Sequence, residues 1–243
     1  MAIATGAFLN AIGILLGAMM GLALQKPLSP QMQLLFRNWL GVATIFIALW
    51  LIWLNVGGTF LNCVKQIGIA LVAVIVGNLL GKLLRLQKIS NRVGHRAAIV
   101  VGDAQKKSIQ NPADGFNACA ILFCAAPLGI VGAIVDGLSG FFWLLAVKAL
   151  MDGFAMMSFV KMFRWPAAMS AFPVLFIFGA ITFACRFSVK PFLDAHNLTN
   201  SVCAAAGFVS LSIAVAIFGT RKVELANYLP ALAVAPLLTW LLK

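Results

Sequence analysis

Acidic residues are scarce in this chain, and so is charge of either sign. Six Asp and Glu stand against eighteen Lys and Arg, and only 10% of the 243 residues are charged. Soluble globules carry charge on about a quarter of their residues, so a water-soluble domain is excluded. The two histidines, His95 and His196, lie far apart, and the five cysteines show no CxxC or Cys/His spacing. That removes the usual ligand sets of metal sites, and the cysteines read as packing. No P-loop, GxSxG or HExxH occurs. The chain therefore reads as a non-enzyme with no cofactor and no metal. Period-two alternation is missing from the apolar runs, which excludes a porin-type barrel.

What is present is apolar length. With 63% hydrophobic residues and a mean hydropathy of +1.02, the composition dictates an all-α integral membrane protein. A crossing takes about 20 apolar residues, which gives room for about seven or eight helices. The spans fall near 3–24, 39–57, 64–84, 116–138, 141–163, 168–186, 201–219 and a short 228–242, in a single transmembrane domain covering 1–243. Between them, 85–115 is polar and basic. Leu86, Ile89, Val93, Ala97, Val100 and Val101 recur at helical intervals, which predicts an amphipathic helix on the cytoplasmic surface, basic side chains toward anionic headgroups.

The net charge of +12 invites a nucleic-acid reading, but the positions of the cations speak against one. Lys26, Arg37, Lys82, Arg85, Lys88, Arg92, Arg96, Lys106, Lys107, Lys161, Arg164, Arg221 and Lys222 all fall on one side of the predicted topology. The positive-inside rule then places that side in the cytoplasm and the amino terminus outside. The lipid bilayer is the expected partner, in a bacterial inner membrane, and a homo-oligomer is compatible with the pattern.

Gly13, Gly17 and Gly21 form a stripe that lets another helix approach closely. Gly17-Ala-Met-Met-Gly21 with Gln25-Lys26 resembles Gly77-Asn-Leu-Leu-Gly81 with Gln87-Lys88, an internal repeat of the kind transporters use. Asn10, one turn before Gly13, lies at membrane depth and needs a polar partner. An interhelical clasp and a ligand contact both satisfy that need.

The chemistry concentrates between Phe116 and Phe163, read as two spans folded back at Gly137-Leu138-Ser139-Gly140. Pro127 stands mid-membrane and breaks its helix, and broken backbone is tolerated there only inside protein or along a wet cavity. Gly129, Gly132, Asp136 and Gly140 share one face, so Asp136 ends a trough of small residues. Lys148 and Asp152 are four apart on one helix face and can pair, with Asp152 about 18 Å along the helix from Gly140 at ~1.5 Å per residue. If that pair is neutral, Asp136 is left alone, a carboxylate that favours a bound proton or cation.

The run Leu122-Phe-Cys-Ala-Ala-Pro127-Leu-Gly-Ile-Val-Gly-Ala-Ile-Val-Asp136-Gly137-Leu138, followed by Lys148 and Leu150-Met151-Asp152-Gly153, resembles the YdfK/YqgA-like bacterial membrane proteins, a family of unknown function. The resemblance covers nearly the whole chain, including Gly6 to Asn10 and Asn227-Tyr-Leu-Pro230. It implies a multi-pass fold and no biochemical activity. The residues themselves suggest a pathway for a small polar or ionic solute, coupled to protons or cations through Asp136, Lys148 and Asp152, with Asn10, Pro127, Gly129 and Gly132 along it. The alternative is a structural or regulatory protein whose charged hairpin only locks its helices. A cavity reaching Asp152 would favour the pathway, and a dry pair the lock.

Overall fold

A computed structural model describes residues 4–24, 29–106, 112–219 and 223–242. Lys26, Lys107, Arg221, Lys222 and the loop about Ser108 lie outside the described residues. The helices are α1 (Thr5–Ala23), α2 (Pro30–Asn55), α3 (Phe60–Leu83), α4 (Leu86–Lys106), α5 (Pro112–Cys124), α6 (Pro127–Ser139), α7 (Trp143–Phe163), α8 (Ala171–Ala184), α9 (Lys190–Ala195), α10 (Thr199–Phe218) and α11 (Ala231–Leu241). No strand occurs among the described residues. Among the described residues six helical stretches are long and apolar enough to cross a membrane, or seven if α5 and α6, bent by 58° at their break, count as one span.

Local chemistry explains where these elements depart from the apolar runs. α2 starts at Pro30, not near residue 39, because proline suits the first helical turn and the Ser29 hydroxyl accepts the Met32 N–H at 3.3 Å. The expected outer loop holding Arg186, Lys190 and Asp194 is helical. A 3-10 turn (Trp165–Ser170), α8, a π-turn (Cys185–Val189) and α9 form one stretch from Trp165 to Ala195. The π-turn widens the helix just ahead of Pro191, whose ring cannot be fitted into a regular α-turn. Gly137 is not part of the hairpin turn. It is helical and buried against Thr182 and Cys185, and the chain reverses at Gly140, which takes φ 73 and donates to the Asp136 carbonyl. The last span is short: α11 has 11 residues, about 16 Å at ~1.5 Å per residue, against a hydrocarbon core of about 30 Å.

Three helix pairs dominate the packing: α1 with α7, α2 with α10, and α3 with α11. Glycine makes the first and third close. Gly13 faces Ala149, Gly17 faces Gly153, and Gly21 faces Met157 and Val160. The partner numbers rise together, so α1 and α7 run parallel. Gly77 meets Ala231 and Gly81 meets Asn227, the reverse order of an antiparallel pair. The two glycine pairs of the internal repeat thus seat against different partners. α6 stands between two hydrophobic clusters, giving Leu128, Val131 and Val135 to one and Ala133 to the other. Large apolar side chains such as Phe46, Trp53, Phe60 and Phe176 point outward, as a lipid-facing surface requires.

α4 is fastened at its start by a polar clasp. Asn227 accepts the Gln87 N–H at 3.0 Å, Gln87 accepts the Ala226 N–H at 3.1 Å, and Asn227 donates to Glu224 at 2.7 Å. Glu224 takes part in this clasp while remaining exposed.

Candidate functional site

α1 and α7 meet over a charged centre. Lys148 and Asp152, one turn apart on α7, form an ion pair in which the ammonium contacts both carboxylate oxygens. Their side chains are 3% and 7% exposed. Phe123 at the end of α5 presents its ring to the ammonium, 5.6 Å from centroid to Nζ. Cys124, next to Phe123, lies within electrostatic range of both charges. The centre therefore sits where α5 stops. Ala126 is extended there (φ −68, ψ 123) and α6 restarts at Pro127, so the last carbonyls of α5 lack helical partners.

From α1, Asn10 comes to the same place. It is fully buried and its amide nitrogen reaches toward the Asp152 carboxylate at a geometry short of a full hydrogen bond, while its oxygen has no partner. Buried polar groups are bonded in the great majority of cases. Asn10 is an exception beside an ion pair and a helix break.

Asp136 belongs to a different arrangement. Its carboxylate accepts the Gly6 N–H at 3.1 Å, in the first turn of α1, where backbone donors have no helical partner. The preceding residue, Ala4, supplies no side-chain cap. Asp136 thus caps α1 from α6, its negative charge placed at the positive end of the helix dipole, with Arg186 within electrostatic range. The carboxylate expected to stand alone is held by a helix end. We expect Asp136→Ala to destabilise the protein by about 0.5–2 kcal/mol and Asp136→Asn by much less, since amide and carboxylate oxygens cap comparably; thermal unfolding in detergent measures both.

The trough of small residues is filled. Gly129 packs against the Phe178 ring and Gly132 against Leu145, so these glycines serve contact between helices. Of the residues singled out in the sequence, Asn10, Lys148 and Asp152 come together at the break marked by Pro127. Asp136 lies at the amino-terminal end of α1, about 6 Å from the level of Asn10 at ~1.5 Å per residue. Sequence reasoning missed Phe123, one aromatic among nineteen phenylalanines. It also missed Thr182, whose hydroxyl donates to the Ala133 carbonyl at 3.1 Å.

The cavities lie elsewhere. One of about 1000 Å³ is walled by Phe46, Trp50, Trp53 and Cys63, and one of about 750 Å³ by Leu138, Phe192, Leu232 and Trp240. A smaller one of about 120 Å³ is polar, bounded by Asn55, Gln66, Asn197, Asn200, Ser201 and Thr239. Asn10, Lys148 and Asp152 line none of these.

Fold and centre together define a polytopic all-helical membrane protein with a buried ion pair at a helix break. The chain belongs to the family described as proteins of unknown function, DUF554, whose model matches residues 5–240. It is similar to the uncharacterized protein YqgA of Escherichia coli (strain K12), 26% identical over 235 residues, covering 95% of this chain and 94% of the relative. It is also similar to the uncharacterized membrane protein YdfK of Bacillus subtilis (strain 168), 23% identical over 237 residues, covering 98% and 96%. No solved structure matches.

Proposed function

We propose that this protein carries a small polar or ionic solute across the bacterial inner membrane, with Asn10, Lys148 and Asp152 as its binding centre, and that it is not an enzyme. The supporting observation is Asn10. A buried amide whose oxygen has no partner and whose nitrogen only approaches Asp152 has hydrogen-bonding capacity that packing does not use, and it stands against a mid-membrane ion pair where charge is costly. The broken α5–α6 pair adds backbone carbonyls of the kind that transporters turn toward solutes and ions. None of the cavities described above reaches this centre. Flux into proteoliposomes from a panel of small polar solutes tests the reading, with Asn10→Ala and Asp152→Asn as variants. Both should abolish uptake, and uptake surviving in both would remove the centre from the pathway.

A second reading has its own support. The pair is dry, and the glycine stripe of α1 packs tightly on α7, as a purely structural lock would. On that reading Asn10→Ala costs only the weak contact of its amide with Asp152.

A further inference from the structure

We infer that the small polar cavity between α2, α3, α10 and α11 is a binding site for a neutral solute that carries a primary amide group and is no larger than urea or acetamide. It shares no residue with the α1–α7 centre and is independent of the transport reading above. Helix ends build it. α2 finishes at Asn55 and α3 has lately begun at Gln66, while α10 starts with Asn200 and Ser201 and α11 is about to finish at Thr239. This is the end of the bundle remote from the basic α4, which follows the other end of α3.

The wall is held in place by the protein's own bonds. Gln66 accepts the Gly57 N–H at 3.1 Å and donates to the Gly57 carbonyl at 3.2 Å, which fixes the connection between α2 and α3. At the connection between α9 and α10, Asn197 takes a left-handed backbone (φ 53), a conformation asparagine tolerates, and the Leu198 N–H donates to the Leu193 carbonyl at 2.8 Å. A wall ordered in advance lowers the entropic cost of binding. Ile69 and Ala204, both buried, lie at the bottom. One turn deeper on α3 and α11, and one residue on in α10, Ala73, Ala235 and Ala205 pack together and close the way. The cavity is therefore a blind pocket, suited to holding a ligand.

Size and charge narrow the ligand. A volume of about 120 Å³ equals that of about four waters at ~30 Å³ each, too little for a sugar ring. Among the described residues no charged side chain lines it. Of the charged neighbours, Lys65 donates to the Leu242 carbonyl and Asp194 accepts the Thr199 hydroxyl. An ion would enter without a counter-charge and lose its hydration.

Hydrogen-bonding capacity names the group. Ser201 donates its hydroxyl to the Leu198 carbonyl at 2.7 Å, and Thr239 donates to the Ala235 carbonyl at 2.9 Å. A hydroxyl has one proton, so each of these oxygens has only lone pairs left for a ligand. Asn55 donates one amide hydrogen to the Leu51 carbonyl at 2.8 Å and keeps its oxygen as an acceptor. These three half-buried side chains call for N–H donors. Asn197 and Asn200, at the exposed rim, add amide N–H groups that a carbonyl can accept. A primary amide meets both demands, with two N–H donors on one side and a carbonyl on the other.

The test is saturation-transfer NMR on the purified full-length protein in deuterated detergent, with acetamide as the probe and empty micelles as the blank. Saturable binding of acetamide is expected, with a dissociation constant in the millimolar range or tighter. Acetate, which is charged, and N,N-dimethylacetamide, which has no N–H, should give no saturable signal. Thr239→Val and Ser201→Ala should each weaken acetamide binding about 2- to 12-fold, the loss of one hydrogen bond. Thr239→Ser, which restores the hydroxyl, should bind as wild type does. No saturable acetamide signal, an equal signal from N,N-dimethylacetamide, or binding unchanged in both Thr239→Val and Ser201→Ala would each overturn the site and leave the cavity a gap filled by water. So would a Thr239→Ser variant as weak as Thr239→Val.

Discussion

Lys148→Met should destabilise the protein by about 3–5 kcal/mol, while Lys148→Met combined with Asp152→Leu should be neutral or stabilising by up to about 4 kcal/mol. The single change leaves a carboxylate buried at 7% exposure without its cation, and the Asn10 amide beside it is no substitute for a charge. The double change replaces both charges with apolar volume among Leu145, Ala149 and Met156, which are themselves buried. Unfolding of the four proteins of this double-mutant cycle in detergent isolates the pair term. The result bears on function through a contrast. If the double variant is as stable as wild type but carries no solute, the ion pair is there for its chemistry. If the double variant is as unstable as the single one, the pair holds the fold together.

The second large effect belongs to the α1–α7 seam. Gly17→Ala places a methyl group onto the Gly153 backbone, and Gly81→Ala places one onto Asn227. Neither obstacle is the free end of a side chain, so the helices must separate, and overpacking of this kind costs about 1–3 kcal/mol. Gly68→Ala is the control, with nothing within 4 Å of the added atom, and there alanine should stabilise α3 by up to about 1 kcal/mol through helix propensity. Thermal unfolding in one detergent compares the three. Gly17→Ala should also impair uptake, since it moves Asn10 away from Asp152, whereas Gly81→Ala acts on the distant α3–α11 pair.

Much of this was legible in the sequence wherever the cause is local. Lys148 and Asp152 pair because four positions make one helical turn, Pro127 breaks a helix wherever it stands, and the apolar lengths give the spans. Asp136 was harder. Its partner is the Gly6 amide, 130 positions away, and a backbone donor carries no residue identity to read. Gly129 and Gly132 resembled a trough because glycine shows the absence of a side chain and not what fills the space, here Phe178 and Leu145. The helical course of Arg186 to Asp194 was hidden by Pro191, which signals a loop unless a widened turn precedes it. Asn10 was recognised as a polar residue at depth, but only the packing of α1 on α7 places it against the ion pair.

The Asn10 amide is the sharpest place to test the account, because its oxygen has no partner and its nitrogen only a weak contact with Asp152. Uptake of the transported solute into proteoliposomes should be compared between wild type and Asn10→Ala, alongside the melting temperature of each in detergent. The account predicts that uptake is lost while the melting temperature stays the same or rises. Uptake unchanged at an unchanged melting temperature would contradict it, and the centre between α1 and α7 would then be a lock and not a site.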